Sequence, residues 1–358
     1  MNRRTRRTLW IVAAVIALLA AAVFLRSKAP PEAARLLPES DGIVYINLKP
    51  VRAFFHKDLK PPQHVPEYQQ FIDATGIDWE HDLDEAAIAL HRMQDPSGPN
   101  GPVAYSMVLV GKLTGKRLNT WLEAHATARE SYTGHTIYSV PSEGRTVRVA
   151  QVGYDMVAVS NTPTPEQIHS MLDRHATAAW PFAGSTLLRQ HYSEVPLLSL
   201  AWGVGQIGLP FSDGCNNAPG DQASRNHRGQ IGLPVPKSCS ISILGLSLPL
   251  KDDSTIVASV APALLGSLHL RVEEETSSEA AAAGQAASLN LIFDLARSFT
   301  APLADTGANN GLKELLKTAE VAQKHNRVVL TARLSPSLFS SLAASAPPQS
   351  PSSPAPAK

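Results

Sequence analysis

Three stretches of this chain hold residues whose types and spacing could do chemistry, and each carries its own test. The first, Gly203-Val204-Gly205-Gln206-Ile207-Gly208, is spelled like the GxGxxG turn that cradles a dinucleotide pyrophosphate. That chemistry requires a strand before the turn and a helix after it, because the free amides of the helix N-terminus hold the phosphates. A strand ending at Trp202 suits the first requirement. Pro210, Gly214, Pro219 and Gly220 defeat the second, and no acidic residue is placed on a following strand to take a ribose hydroxyl. Neither nucleotide nor cofactor is expected.

The second stretch spaces Cys215, His227 and Cys239 evenly around a string, GQIGLP, that occurs at 205–210 and again at 229–234. Structural zinc takes four ligands, commonly including a close cysteine pair, and no such pair exists here, so no metal is expected. In an oxidising compartment two cysteines flanking a Gly/Pro/Asn-rich loop tend to pair. A Cys215–Cys239 disulfide is the expectation, ahead of free thiols and of metal. The repeat itself reads as a local duplication in an exposed loop, where insertions are tolerated.

The third, Asp78-Trp79-Glu80-His81-Asp82-Leu83-Asp84-Glu85, gathers carboxylates around one histidine. It lacks the central glycine and the terminal bidentate glutamate of a calcium loop, so a solvated turn is the preferred reading over a cation site. No G-x-S-x-G, H-E-x-x-H or phosphate-binding lysine loop occurs, and no catalytic residue is assigned. Carboxylates distant in sequence can still meet in a fold, which leaves a dispersed site as a rival.

The elements that must position these residues follow from patterning. Residues 42–48 are rich in β-branched and aromatic side chains and predict a strand, as do 86–91 and 105–113 on either side of the Pro/Gly loop QDPSGPNGP; 51–56 and 66–75 predict short helices. A helix begins after Thr114 as its cap, with Leu118, Trp121 and Leu122 on one face. Hairpins turn at Thr133-Gly134 and Gly153-Tyr154-Asp155, and Thr164-Pro165-Glu166-Gln167 opens a helix with Ile168, Met171 and Leu172 as its buried stripe. In the second half, strands are expected at 197–202, 240–246, 255–261, 267–275 and 327–334. A long alanine-rich helix follows a capping box at Thr276-Ser277-Ser278-Glu279, and a short one covers 311–317. The segment 329–339 lines up with 108–118, an alignment that chance patterning and internal duplication explain equally well.

The chain's 358 residues, 44% of them hydrophobic, suffice for two ordinary domains, and 32 basic against 31 acidic side chains exclude a bulk field for nucleic acid. The charge that matters is local. Arg3, Arg4, Arg6 and Arg7 precede an apolar run from 9 to 25, with only Arg26 and Lys28 beyond it, so the positive-inside rule leaves residues 1–8 in the cytoplasm. A retained transmembrane anchor at 9–25 is preferred over a cleaved signal peptide. Ala20-Ala21-Ala22 would suit cleavage, yet Val23-Phe24-Leu25 prolong the apolar run. Residues 5–10 also match a twin-arginine signal loosely. A linker at 26–36, a first α+β domain at 37–178, a second at 179–344 with an inserted loop at 205–239, and a Pro/Ser-rich disordered tail at 345–358 complete the expectation.

Leu36-Leu37-Pro38-Glu39-Ser40-Asp41 before a strand, Gly111-Lys112-Leu113 at a strand end and the hairpin Tyr132-Thr133-Gly134-His135-Thr136-Ile137-Tyr138 are features that resemble membrane-anchored bacterial envelope proteins of a domain-of-unknown-function type. The resemblance implies no activity. The expected fold class is α+β: an N-terminal transmembrane helix, then two α/β-sandwich-like halves with mainly antiparallel sheets. A single-pass inner-membrane protein with its bulk extracytoplasmic is expected, in a binding or scaffolding role, with an envelope protein as a possible partner. An envelope hydrolase with a dispersed active site is the rival expectation.

Overall fold

In the computed structural model, the structure describes residues 12, 15, 29–55, 66–96, 98–142, 144–177, 183–206, 212–213, 239–243, 246–250, 254–263, 267–300 and 307–335. The anchor expected at 9–25, apart from Val12 and Val15, the tail expected at 345–358 and nearly all of the doubled loop lie outside these residues. Among the described residues no helix is long and apolar enough to cross a membrane.

The chain begins with α1 (Glu32–Leu36), β1 (Gly42–Asn47), α2 (Leu48–Phe55), α3 (Pro66–Thr75), α4 (Trp79–Asp82), β2 (Leu83–Arg92) and β3 (Val103–Gly111). It continues through α5 (Lys116–His125), β4 (Ala128–Tyr132), β5 (His135–Ser142), β6 (Arg145–Val152), β7 (Met156–Ser160), α6 (Glu166–Ala176), α7 (Thr186–His191) and a 3₁₀ turn at Tyr192–Glu194. Then come β8 (Ala201–Gln206), β9 (Ser212–Asp213), β10 (Cys239–Ile243), β11 (Leu246–Leu250), β12 (Thr255–Pro262), β13 (Leu268–Glu275), α8 (Glu279–Thr300), α9 (Gly307–Thr318), β14 (Glu320–Lys324) and β15 (Arg327–Leu334).

The fold is α+β, and one 12-stranded antiparallel sheet runs through both expected halves in the order β14-β15-β13-β12-β8-β1-β2-β3-β7-β6-β5-β4. That order repeats a single plan. In each half three strands form a meander (β1-β2-β3, then β8-β12-β13) and helical chain crosses over. An antiparallel run then returns, of four strands (β4 to β7) in the first half and a hairpin (β14-β15) in the second, so that its last strand, β7 or β15, pairs with the third. The two first strands meet at the centre, where Ile43 faces Val204 and Tyr45 faces Trp202. The alignment of 329–339 with 108–118 matched β15 to β3, whereas topology matches β15 to β7. Ser335-Pro336 then falls against Thr164-Pro165. The doubled loop occupies the place held in the first half by α2, α3 and α4, between the first and second strands of the meander.

Alternation sorts side chains to two faces of the sheet. One face carries Ile43, Tyr45, Ala87, Ala89, Val108, Ala150, Met156, Ala158, Trp202 and Val204 under α1, α6 and α7. On the other face two separate cores form. Leu109, Tyr138, Val157 and Val159 lie under α3 to α5 in the first half. In the second, Leu268, Val328, Leu330, Ala332 and Leu334 lie under α8 and α9.

Several local expectations are corrected. Residues 30–36 are not a linker: Pro30 is buried, and Ala33 and Ala34 are completely so, because α1 packs against α6, β2 and β3. Thr114 does not cap α5, since its hydroxyl donates to the Tyr154 carbonyl and Gly115 holds the cap position. No side chain caps α6, where Pro165 takes the cap position with helical dihedrals, so Thr164 is left before it. The cap of α8 is Ser278, whose hydroxyl accepts from the Ala281 amide. Thr276 instead donates to the Asn326 carbonyl and ties the helix entry to the β14–β15 turn. The strand expected at 197–202 starts later, at Ala201.

Candidate functional site

The strands of the first half have apolar residues on both faces, which requires a cover on both sides. On the face away from α1, β3 presents Tyr105, Met107 and Leu109, β7 presents Val157 and Val159, β6 presents Val147 and Val149, and β5 presents Val140. Above this floor stand Phe71 of α3, Trp79 of α4 and the Leu118/Trp121/Leu122 stripe of α5. The roof is aromatic and interlocked. Phe71 stacks on Trp79 at 5.7 Å between ring centroids and meets Trp121 edge-on at 5.3 Å, and Trp121 stacks on His125 at 4.3 Å.

Roof and floor do not close on one another. Between them lies a cavity of about 440 Å³, ended by Leu113 on one side and reaching Ser142 on the other. Tyr105 and Ser142 are the only polar residues among those lining it. In the corresponding layer of the second half the 22-residue α8 lays Ala282, Ala286, Leu289, Phe293 and Ala296 on the sheet, joined by Leu315 and Leu316 of α9. These two helices leave a pocket of about 370 Å³ lined by Arg297, Thr300, Lys313, Leu316 and Lys317. The ten-residue helices α3 and α5 cannot cover as much strand, and the space follows from that shortfall.

The expected acidic turn supports this roof. Asp78 caps α4 by accepting from the Glu80 amide at 3.0 Å, accepts from Tyr68 at 3.1 Å, and lies 2.6 Å from His81 Nδ1. Burial alone would raise its pKa, but those hydrogen bonds together hold it below the ordinary carboxylate range. The same hydrogen bond to Asp78 raises His81. Asp84 is engaged by Arg52 at 2.5 Å and Lys49 at 3.5 Å. Asp78 and Asp84 are thus committed to local structure.

The structure brings two other polar groups together. His91 Nε2 lies 2.9 Å from Ser106 Oγ, which lies 3.2 Å from Ser160 Oγ, itself 2.9 Å from Thr162 Oγ1. This is a serine–histidine pair in outline, yet Ser106 and Ser160 are 0% exposed and His91 8%, so no substrate reaches the hydroxyl. Its role is to satisfy polar groups under α1. The second group joins His191, Glu194 and Glu275, whose ligand atoms lie within 4.8 Å of one another. Arg327 already occupies that charge, at 2.8 Å from Glu194 and 3.3 Å from Glu275. A cation would have to displace a guanidinium, so the cluster is an ion-pair network.

Of the residues singled out from sequence, Gly203 and Gly205 lie within β8 rather than after it, and Gly208 lies outside the described residues. Cys239 opens β10, opposite Leu250, while Cys215 and His227 lie outside the described residues. Sequence reading missed the cavity. Its signal was present in the apolar run Met107-Val108-Leu109-Val110 of β3 together with the alternation of Val147 and Val149, which imply two covered faces where only two ten-residue helices were available as a second cover.

No protein-family model matches the chain, and no curated protein is a significant match. Among solved structures, crystal forms I, III and IV of TP0453 are similar at 10% sequence identity. Form I covers 88% of this chain and 98% of its own with a TM-score of 0.41, and form III covers 88% and 99% with a TM-score of 0.43. Form IV covers 87% of this chain and 96% of its own, also with a TM-score of 0.43.

Proposed function

We propose that this chain is a membrane-anchored, extracytoplasmic binding protein that holds an apolar ligand in the first half of its sheet, the anchor at 9–25 leaving its N-terminus in the cytoplasm. One observation carries this reading. Two halves built on the same plan differ, among the described residues, in that the first keeps a 440 Å³ apolar cavity over its sheet, whereas the 370 Å³ pocket of the second lies between its helices and is lined mainly by the polar side chains of Arg297, Thr300, Lys313 and Lys317. Packing that cavity would have been favourable, by about 25 cal/mol for each Å² of apolar surface removed from water, so open space lined by fifteen residues is a cost that a ligand can offset. The hydrolase reading has no comparable support, because the serine–histidine pair at Ser106 and His91 is sealed.

The test is to extract full-length protein into polymer-bounded membrane discs, recover bound apolar molecules, and compare it with a Val149→Trp variant whose indole fills the cavity. A stoichiometric apolar molecule on the wild type that is lost from the filled variant is the expected result. The same molecules on both at the same ratio would overturn the reading.

A further inference from the structure

We propose that the cavity takes one long-chain fatty acid, its acyl chain along the sheet floor and its carboxylate held at the open end by Arg145. The inference rests on reading the cavity as a ligand site. Four observations support it.

Along β6 the side chains alternate. Ala150 and Val152 enter the core beneath α6, Val147 and Val149 line the cavity, and Arg145 shares the cavity side with them. Arg145 also pairs directly across the β5–β6 hairpin with Ser142, the polar residue at one end of the cavity lining. Its guanidinium then reaches sideways: Nη2 lies 3.5 Å from the point where a Cβ on Gly101 would stand, in the loop joining β2 to β3. The side chain therefore lies beyond the ends of β7 and β3, at the end of the cavity lining that Tyr105 and Ser142 mark.

Arg145 is half-buried and has no hydrogen-bond or ion-pair partner among the described residues; the neighbouring Glu143 lies outside them. Several other arginines of the body are engaged: Arg52 with Asp84, Arg174 with Glu39, Arg271 with Glu273, and Arg148 with the Thr162 and Pro163 carbonyls. A planar guanidinium beside an apolar opening suits a carboxylate, which it can grip with two parallel hydrogen bonds.

The shape selects a chain. From Tyr105 to Leu109 the floor extends about 14 Å along β3, and Leu113 prolongs it. Sugars and other polyols are excluded, because a lining with two polar residues would leave their hydroxyls unsatisfied.

The test uses the full chain in nanodiscs of phosphatidylcholine, with two photoactivatable probes of equal length: a diazirine-bearing hexadecanoic acid and the corresponding hexadecanol. Ultraviolet crosslinking and peptide mapping read occupancy at β3 and β6. The acid should label these strands roughly tenfold or more over the alcohol, the margin of a charge-assisted hydrogen bond. Arg145→Gln should bring the acid down to the level of the alcohol, while Arg145→Lys retains part of the difference. Alcohol labelling that is unchanged by Arg145→Gln serves as the folding control. Equal labelling by acid and alcohol in the wild type, or acid labelling unaffected by Arg145→Gln, would overturn the head-group assignment and leave the cavity intact. Labelling of these strands by neither probe would overturn the cavity reading itself.

Discussion

Leu122 and Leu289 allow the asymmetry between the two halves to be weighed directly. They are 1% and 4% exposed, each projects from a helix onto the same side of the sheet, and each would be truncated to alanine. Leu289 of α8 packs in the core formed with α9 and β15 and lines neither the cavity nor the pocket between α8 and α9, so Leu289→Ala opens a new void in close-packed surroundings. Such substitutions cost about 2.7–5.0 kcal/mol, rising with the volume left empty, and about 4 kcal/mol is expected here. Leu122 lines the cavity, so part of its surface faces no partner atoms and has fewer dispersion contacts to lose. About 2.5 kcal/mol is expected for Leu122→Ala. Equilibrium urea unfolding of both variants, followed by tryptophan emission and compared at constant slope, measures the difference. Equal losses, or a larger loss at Leu122, would mean that the cavity is collapsed in solution, and the argument from unequal halves would fail.

Gly111 has φ of +157° and a Cβ there would stand 1.9 Å from the Asp82 carbonyl oxygen, whereas Gly115, at +156°, has nothing within 4 Å. Gly111→Ala should therefore abolish folding or cost roughly 4 kcal/mol, and Gly115→Ala only about 1 kcal/mol, as read from thermal midpoints. Burial lowers the His91 pKa from its ordinary value of 6.5, against an opposing pull from Asp41. The unfolded chain then binds more protons than the folded one below that value, so stability is full above it and falls as pH drops toward the folded pKa. Urea midpoints between pH 7.5 and 5 should decline more steeply for wild type than for His91→Gln; parallel curves would show that His91 does not titrate as described. Reporter fusions after Lys28 and after Leu334 should both report export, and a cytoplasm-only reporter active at either would refute the topology. Non-reducing mass mapping of freshly alkylated protein should recover Cys215 bonded to Cys239, with two alkylated thiols as the contrary result.

Much of the first half was legible because its patterns are local. The hairpin at Thr133-Gly134 shows in sequence because its two positions take φ of +46° and +81°, a demand that glycine satisfies at the second. The buried stripe Ile168, Met171 and Leu172 shows because a helix repeats every 3.6 residues. What stayed hidden depends on partners distant in the chain. Thr114 is a sound cap by type, but the Tyr154 carbonyl, forty residues on, competes for its hydroxyl. The single sheet arises from pairing of β1 with β8 across about 160 residues, which no local pattern announces. The cavity was hidden for a third reason: an empty volume is set by how far covering helices extend over a sheet, and Trp79 and Trp121 read as ordinary core until both layers are placed.

If residues 9–25 anchor the chain as proposed, the burial of α1 sets how closely the folded body is held to the membrane. With the proposed anchor ending at Leu25 and the folded body beginning at the buried Pro30, the intervening chain spans at most roughly 17 Å fully extended. The body is therefore leashed: it can roll on the bilayer surface but cannot leave the layer of water next to it. A ligand drawn from that bilayer would not be captured from bulk solution, since the nearest lipids stay at a fixed, high effective concentration. Loading of each molecule would then be set by the abundance of the ligand in that bilayer rather than by its concentration in bulk water.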